Sequence, residues 1–364
     1  MSEGSTSRIS SLPPLAVRVA ALGLACSALL LAFLGLLDWD VPLTRFVRSL
    51  NDFHIDHLAN PWLARLSDVG DRLGRGESLV VISVVVLAVG FGLKQAEWKR
   101  AGWQSLAAHA FAALISNLVK HLVGRPRPKF MHSGQFALSP GTGSGWDSFP
   151  SGHATASFAL AAVFATRFPR VRWFLFALAG AITLSRVLRG SHFLTDTVGG
   201  AVIGYTVGTV VANPLSEWQR SVEGAVVAAA SVSAAITVVV WTIGWHPSGA
   251  WPHPQLSAAG LLVVALGLIG LGLFVLKSEM VTGRWFHSTA HYVVGLGFGM
   301  MTGSLWVTAT VCCACAALWL HRRSAEARAV QTTASVRLQQ VGFILFVLCA
   351  LVLAIELRGI LPMR

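Results

Sequence analysis

The sequence predicts an all-α fold, a polytopic bundle of membrane helices. Of its 364 residues, 54% are hydrophobic and only 12% are charged, a balance outside that of soluble domains. Apolar runs long enough to cross a bilayer recur along the chain, and most Lys and Arg lie between them, as topology determinants do. The net charge of +12 does not indicate a nucleic-acid partner, because no basic stripe alternates with exposed aromatic residues.

The first apolar run, residues 19–37, ends at Asp38. No small-residue cleavage pattern closes this run, so we expect an uncleaved span with its N-terminus inside. Residues 41–77 mix charged and apolar side chains at helical spacing. This pattern predicts amphipathic helices on the outer surface of the membrane.

Five further apolar runs complete a predicted six-span core over residues 1–213: 78–93, 101–119, 152–168, 173–188 and 195–212. Two groups of cations separate spans and mark cytoplasmic turns. They are Lys94, Lys99 and Arg100, and then Arg167, Arg170 and Arg172. Because successive spans cross in opposite directions, the loops 120–151 and 186–192 are expected outside. These loops are also basic, which is an exception to the rule that basic loops are cytoplasmic, and a functional demand for cations would explain it.

Residues 214–364 form a C-terminal membrane region whose role the sequence does not assign. Its apolar runs are 224–243, 256–276, 292–320 and 341–357, and the third is too long for one ordinary span. Gly295, Gly299 and Gly303 recur every four residues, which favours close helix packing within the chain over dimerisation. His287 and His291 lie one turn apart, and without a third ligand nearby we interpret them as interfacial residues and not as a metal pair.

A histidine and a carboxylate share one helix face at the start of the sixth span. His192 and Asp196 are four residues apart, so their side chains are neighbours on a helix. The carboxylate can accept the proton of one ring nitrogen and leave the other free as a nucleophile. Gly190, just upstream, allows the preceding helix to end and the chain to turn.

A second histidine, His153, lies at the start of the fourth span. Ser151 precedes it as an expected N-cap, and a helix N-terminus offers free N–H groups to an anion. His153 can therefore protonate a leaving alkoxide beside a bound phosphate. The cations Lys120, Arg127 and Arg186 suit the negative charge of phosphoryl transfer. No Cys, His or carboxylate pattern indicates a metal, and we expect neither a metal nor another cofactor.

Three motifs contain these residues. Lys120 is followed after six residues by Arg127-Pro128, residues 150–153 read Pro-Ser-Gly-His, and Ser185-Arg186 is followed by His192 and Asp196. In order, spacing and position at span ends, they resemble the three-part signature of the type 2 phosphatidic acid phosphatase superfamily. The resemblance covers about residues 15–213 and leaves the C-terminal region unmatched.

The resemblance implies a six-span core with an outward-facing, metal-independent site. By position, His192 would be the nucleophile that forms a phosphohistidine, Asp196 its orienting partner, and His153 the acid that later activates water. The remaining motif residues would hold the phosphate: Lys120, Arg127, Ser151, Gly152, Arg186 and, with less support, Ser185. Arg125, Lys129 and Arg189 lie in the same loops outside the motifs, where substrate contact and interfacial anchoring are equally favoured.

The predicted function is hydrolysis of the terminal phosphate of a lipid phosphate or diphosphate that stays in the bilayer. Many Ala, Gly and Arg and only five Lys suggest a bacterial inner-membrane protein. A phosphotransferase that uses the same phosphohistidine is the first alternative. A lipid transporter or flippase is the second, although the C-terminal runs carry few intramembrane charges. A vanadate-dependent peroxidase is disfavoured by the membrane architecture, and neither the particular lipid nor the oligomeric state follows from the sequence.

Overall fold

The computed structural model describes residues 15–50, 61–130, 145–243, 295–300, 302 and 304–326. This part of the chain is helical and contains no strand. The long helices are α1 (Leu15–Leu50), α2 (Pro61–Gly74), α3 (Gly76–Gly92), α4 (Ala96–Val123), α5 (Gly152–Arg167), α6 (Arg172–Leu188), α7 (Leu194–Ala212), α8 (Trp218–Ile243) and α9 (Leu305–Glu326). The chain forms two compact units, Phe33–Ala229 and Met1–Ala32 with Ala230–Arg364.

The predicted all-α membrane fold is confirmed. Among the described helices, five are long and apolar enough to cross a bilayer, or six if the bent pair Ser67–Gly74 and Gly76–Gly92 is one span. Each of the six predicted core spans lies on a helix, in order α1, α3, α4, α5, α6 and α7. Helix α5 has only 16 residues and is almost entirely buried by its neighbours.

One expectation for the N-terminal part was wrong. Helix α1 does not end at Asp38 but continues to Leu50, because the carboxylate of Asp40 is buried at 1% exposure and bonded to protein groups. Helix α2 is amphipathic as predicted and packs against α6; its position on the outer membrane surface stays a prediction. A Cβ atom at Gly70 of α2 would lie 2.6 Å from Ser185, so glycine permits this approach.

Helices α5 and α7 form the most extensive helix pair of the described structure. Three glycines on one face of α7 remove the side chains that would separate the two backbones. A Cβ atom added at Gly200 would lie 2.6 Å from the Ser151 carbonyl oxygen. One added at Gly204 would lie 2.1 Å from the Thr155 carbonyl oxygen, and one added at Gly208 would lie 2.3 Å from the Ala159 carbonyl oxygen. Small residues at such spacing are the usual means of close helix packing in membranes.

The outer faces of the bundle carry exposed apolar side chains. They include Val81, Val84 and Val85 of α3, Phe111, Leu114 and Leu118 of α4, and Trp173, Phe174 and Leu184 of α6. Exposed apolar surface of this extent is typical of helices that face lipid.

In the second unit, residues 295–300 are helical and pack on α9. A Cβ atom at Gly295 would lie 3.5 Å from Cys315 Sγ, and one at Gly299 3.3 Å from Val311. These two glycines therefore serve packing within the chain, as predicted. Gly303, His287, His291 and the predicted spans 256–276 and 341–357 lie outside the described residues.

We expect Gly204→Ala to destabilise the protein, because the added methyl group would overlap the Thr155 carbonyl oxygen. Overpacking of this kind costs about 1–3 kcal/mol. Thermal unfolding in detergent should show a lower Tm, with activity reduced in parallel. Gly180→Ala is the matched control, since a Cβ atom there meets nothing within 4 Å. Equal Tm values for the two variants would contradict close α5–α7 packing.

Candidate active site

The three motifs meet at one end of the first unit. This end comprises the C-termini of α4 and α6 and the N-termini of α5 and α7. Gly124 caps α4 with a φ of 58° and donates its N–H to the Lys120 carbonyl oxygen at 2.8 Å. Gly190 follows α6 with a φ of 61°, which confirms the predicted turn. Both are left-handed conformations that glycine adopts without steric cost.

The ring of His192 is held by the backbone of Ser148. Its Nδ1 atom lies 2.9 Å from the Ser148 carbonyl oxygen. Because a carbonyl oxygen only accepts hydrogen bonds, Nδ1 carries the proton and Nε2 has a free lone pair. Nδ1 is 3.8 Å from Asp196 Oδ2, beyond hydrogen-bond distance. The sequence suggested that the Asp196 carboxylate accepts the ring proton, but in the structure it does not do so directly. It accepts a hydrogen bond from the Ser148 hydroxyl instead, at 2.6 Å.

Burial favours the neutral form of this histidine. His192 is only 3% exposed, and desolvation lowers its pKa below the ordinary value of 6.5. The charges of Arg127 and Arg186 lower the pKa further, whereas Asp196 opposes the shift. At neutral pH the imidazole is thus uncharged, as a nucleophile requires.

Arg125 joins two buried carboxylates. Its guanidinium donates to Asp196 Oδ1 at 2.6 Å, to Asp40 Oδ2 at 2.8 Å and to Thr195 Oγ1 at 2.7 Å, and it lies 4.2 Å from the centre of the Phe193 ring. At 4% exposure, Arg125 ties α1 to the start of α7. The described partners of Arg125 are groups of the protein itself. Its role is therefore structural, and differs from substrate contact and interfacial anchoring, the two roles considered from the sequence.

A carboxylate that the sequence analysis did not assign holds two of the expected phosphate-binding cations. Asp147 accepts two hydrogen bonds from Arg127, at 2.8 and 2.7 Å, and lies 3.8 Å from Lys120 Nζ. The Arg127 hydrogen bonds hold the pKa of Asp147 well below its usual range. The ammonium of Lys120 also adjoins the start of α5, 3.8 Å from where a Cβ atom of Gly152 would lie.

A second unassigned carboxylate, Asp71 of α2, lies at the other side of the site. It forms an ion pair with Arg186, and its Oδ1 atom lies 3.4 Å from His153 Nε2. Gly74, one turn further along α2, is close enough to the His153 ring that a Cβ atom would lie 2.7 Å from its Cδ2 atom. No sequence motif marks Asp71; the only signals are its position on an amphipathic helix and the glycines that flank it.

Three buried polar atoms of the motif residues make no hydrogen bond to described residues: Ser151 Oγ, His153 Nε2 and Arg186 Nε. Ser151 is at the N-cap of α5, as predicted, but its hydroxyl does not cap the helix. Its amide instead donates to the Asp196 carbonyl oxygen at 2.9 Å. Buried polar groups are rarely left unpaired, so Ser151 Oγ and Arg186 Nε suit an anionic ligand, while His153 Nε2 faces Asp71.

Ser185 has a different environment from the other motif residues. Its hydroxyl donates to the Ile182 carbonyl oxygen at 2.6 Å, and its side chain packs against Gly70 of α2. Its described contacts are thus with helices and not with the phosphate-binding cations. Among the described residues, no group of three or more His, Cys, Asp or Glu side chains is arranged to hold a metal ion.

The comparisons with known proteins agree with these motifs. A family model described as PAP2 superfamily matches residues 101–220. The lipid A 1-phosphatase of Rhizobium etli is 34% identical over 157 residues, covering 39% of this chain and 68% of the relative. The chain belongs to the PAP2 superfamily. This assignment confirms the family that the three motifs resembled.

Two further relatives extend the comparison. The decaprenylphosphoryl-5-phosphoribose phosphatase of Mycobacterium tuberculosis is 36% identical over 133 residues, covering 36% of this chain and 68% of the relative. Phosphatidylglycerophosphatase B of Bacillus subtilis is 26% identical over 161 residues, covering 40% of this chain and 72% of the relative. No solved structure matches the chain significantly. Together with the family match, these relatives confirm the predicted enzyme class, lipid phosphate phosphatase.

Arg125→Ala should destabilise the protein severely, because it leaves the carboxylates of Asp40 and Asp196 buried without their cation. Breaking a buried ion pair from one side typically costs about 3–5 kcal/mol. We expect a large drop in Tm together with loss of activity. Lys129→Ala, an exposed change in the same loop, should leave Tm unchanged. A stable Arg125→Ala protein with impaired substrate binding would instead favour a contact with substrate.

The pH dependence of kcat/KM should reflect the lowered pKa of His192. If neutral His192 is the nucleophile, as its position in the motif predicts, a lowered pKa keeps the enzyme active to more acidic pH. The acidic limb assigned to His192 should therefore have its midpoint below 6.5. The measurement is a kcat/KM profile corrected for the phosphate ionisation of the substrate, which 31P NMR gives separately. A midpoint above 6.5 would contradict a neutral, desolvated His192.

Proposed function

We propose that this membrane phosphatase hydrolyses the terminal phosphate of a lipid phosphate or diphosphate through a phosphohistidine formed on His192, without a metal ion. The observation that carries the proposal is the hydrogen bond from His192 Nδ1 to the Ser148 carbonyl oxygen. It leaves Nε2 as the nucleophilic atom, and the charges of Arg127 and Arg186 act on the same ring. A nucleophile beside cations that can stabilise the equatorial oxygens suits phosphoryl transfer.

In the first step, Nε2 of His192 attacks phosphorus and the bond between phosphorus and the lipid oxygen breaks. The leaving oxygen takes a proton from His153. Lys120, Arg127 and Arg186 stabilise the negative charge on the equatorial oxygens. Ser151 Oγ, which has no hydrogen-bond partner among described residues, can donate to the same group.

In the second step, neutral His153 removes a proton from water, whose oxygen attacks the phosphohistidine. The bond between phosphorus and Nε2 breaks, inorganic phosphate leaves, and both histidines return to their starting protonation states. One residue thus serves as acid and then as base, as microscopic reversibility requires. The net reaction consumes one water and releases the lipid alcohol, or the lipid monophosphate from a diphosphate.

The position of the site suits a substrate anchored in the bilayer. The reactive groups lie at the ends of α4, α5, α6 and α7, so an acyl or prenyl chain can remain among the lipids beside their exposed apolar faces. The relatives act on lipid A, a decaprenylphosphoryl phosphoribose and a phosphatidylglycerophosphate. We therefore propose an amphiphilic phosphate as the substrate class and residues 1–213 as the catalytic core.

We further propose that the site faces outward from a bacterial inner membrane. The cations predicted to be cytoplasmic lie at the opposite end of the bundle from His192. There Arg167 at the end of α5 pairs with Glu97 at the start of α4, at 3.5 Å. Cations in the turns between spans usually mark the cytoplasmic side, and we attribute the cations at the site end to phosphate binding.

The test measures phosphate release from a panel of lipid phosphates and diphosphates by detergent-solubilised protein with EDTA present. We expect release to persist in EDTA and to fall by about 10³-fold or more in His192→Ala, since loss of a nucleophile removes most of the chemical step. His121→Ala, an exposed histidine at the same end of α4, is the control.

Two results would contradict the proposal. Activity abolished by EDTA would overturn the metal-free mechanism. Labelled phosphate that appears on a lipid or sugar acceptor, and not as free phosphate, would instead establish the phosphotransferase alternative. Incubation of His153→Ala with labelled 4-nitrophenyl phosphate, whose phenolate leaves without a proton, should accumulate an acid-labile phosphoenzyme, because water is no longer activated.

A further inference from the structure

We propose that Asp71 is the positioning residue of His153 and so forms a second carboxylate–histidine pair in the site. This inference rests on the proposed function, in which His153 is the acid and base. Asp71 comes from α2, outside the three motifs and outside the matched residues 101–220. No motif of the sequence assigns it.

The contacts of Asp71 converge on the reacting groups. At 14% side-chain exposure, its Oδ1 atom contacts Arg186 and lies 3.4 Å from His153 Nε2. Its Oδ2 atom faces Arg75 at 3.0 Å and Arg189 at 3.8 Å. Among the described carboxylates, only Asp71 lies within ion-pair distance of His153, so α2 supplies this partner.

The backbone of α2 also fixes the His153 ring. A Cβ atom at Gly74 would lie 2.7 Å from Cδ2 of the ring and 2.5 Å from Ile182 of α6. The imidazole is therefore confined between α2 and α6, with Nε2 turned toward Asp71. Because Nε2 is the nitrogen beside the Asp71 carboxylate, Nδ1 is left to reach a leaving oxygen.

In this arrangement the two ring nitrogens of His153 have different roles. Nε2–H faces Asp71, while Nδ1 gives its proton to the lipid oxygen in the first step and takes one from water in the second. Asp71 remains ionised throughout, so no further proton acceptor is required. The 3.4 Å separation exceeds a normal hydrogen bond, but catalytic hydrogen bonds often shorten only when substrate binds.

The carboxylate is needed because a permanent cation adjoins the acid. The charge of Arg186 acts on the His153 ring, and nearby positive charge disfavours an imidazolium. A carboxylate at Nε2 offsets part of this repulsion and so favours the protonated acid beside the arginine that is expected to bind phosphate. Asp71 also contacts Arg186, so the residue that binds phosphate and the residue that delivers the proton share one counter-ion.

The experiment compares two substrates that differ only in the need for an acid. One is an alkyl lipid phosphate, whose alkoxide must be protonated as it leaves. The other is a 4-nitrophenyl phosphate with an alkyl chain, whose phenolate leaves without a proton. Because kcat/KM reports steps up to the first irreversible one, it isolates phosphorylation of His192.

For Asp71→Asn, we expect kcat/KM with the alkyl phosphate to fall by about 10²-fold or more relative to the nitrophenyl substrate, as loss of general-acid catalysis predicts. His153→Ala should show the same selective loss. Adding Asp71→Asn to His153→Ala should cause no further selective loss, since residues that act as a unit are not additive. Asp68 lies on the same helix as Asp71, and Asp68→Asn removes a 2.9 Å ion pair with Arg189. This variant is the matched control.

An equal loss with both substrates would overturn the proposal, because it would mean that Asp71 serves only the arginine that binds phosphate. A selective loss that persists in the His153→Ala background would overturn it as well. If Asp71→Asn does not fold, Asp71→Glu keeps the charge beside Arg186 but displaces the carboxylate. The same fall in kcat/KM of the alkyl phosphate relative to the nitrophenyl substrate is then expected for Asp71→Glu. Failure of the proposed function would give a different result: His192→Ala would be as active as the wild-type protein with both substrates.

Discussion

The site depends on the close approach of α5 and α7. Gly200, Gly204 and Gly208 bring the two backbones together, which allows the Ser151 amide to bond the Asp196 carbonyl oxygen at 2.9 Å. That bond places the two helix N-termini at one level. Without this contact, separated helices would not share an anion site at their N-termini.

Charge compensation is the second constraint. The cations at this end of the bundle are paired with acids: Arg125 with Asp40 and Asp196, Arg127 with Asp147, Arg186 with Asp71, and Arg189 with Asp68. Partly buried cations need such partners because desolvation disfavours an isolated charge. The pairing also shows how loops rich in arginine can occupy the end of the bundle opposite the predicted cytoplasmic cations, since much of their charge is neutralised within the structure.

The fold was predicted well where periodicity and hydropathy determine it. All six core helices lie at their predicted positions because a bilayer requires long apolar segments with internally bonded backbones. The error lies where a tertiary contact overrides local pattern. Asp38 and Asp40 suggested a helix end, but Arg125, distant in sequence, binds Asp40 and lets α1 continue. The amphipathic pattern of α2 predicted a membrane surface, and it did not show that this helix packs against α6 and His153.

By itself the sequence determined the residue types and spacings of the three motifs, and these are local properties that determine the family and its chemistry. Only the tertiary structure decided how the reacting groups are held. The Ser148 carbonyl orients His192, Arg125 neutralises Asp196, and the carboxylates Asp71 and Asp147 adjoin the cations predicted to bind phosphate. These partners could not be found from the sequence, because contacts such as those of Asp71 with Arg186 and Asp40 with Arg125 join segments that only helix packing brings together.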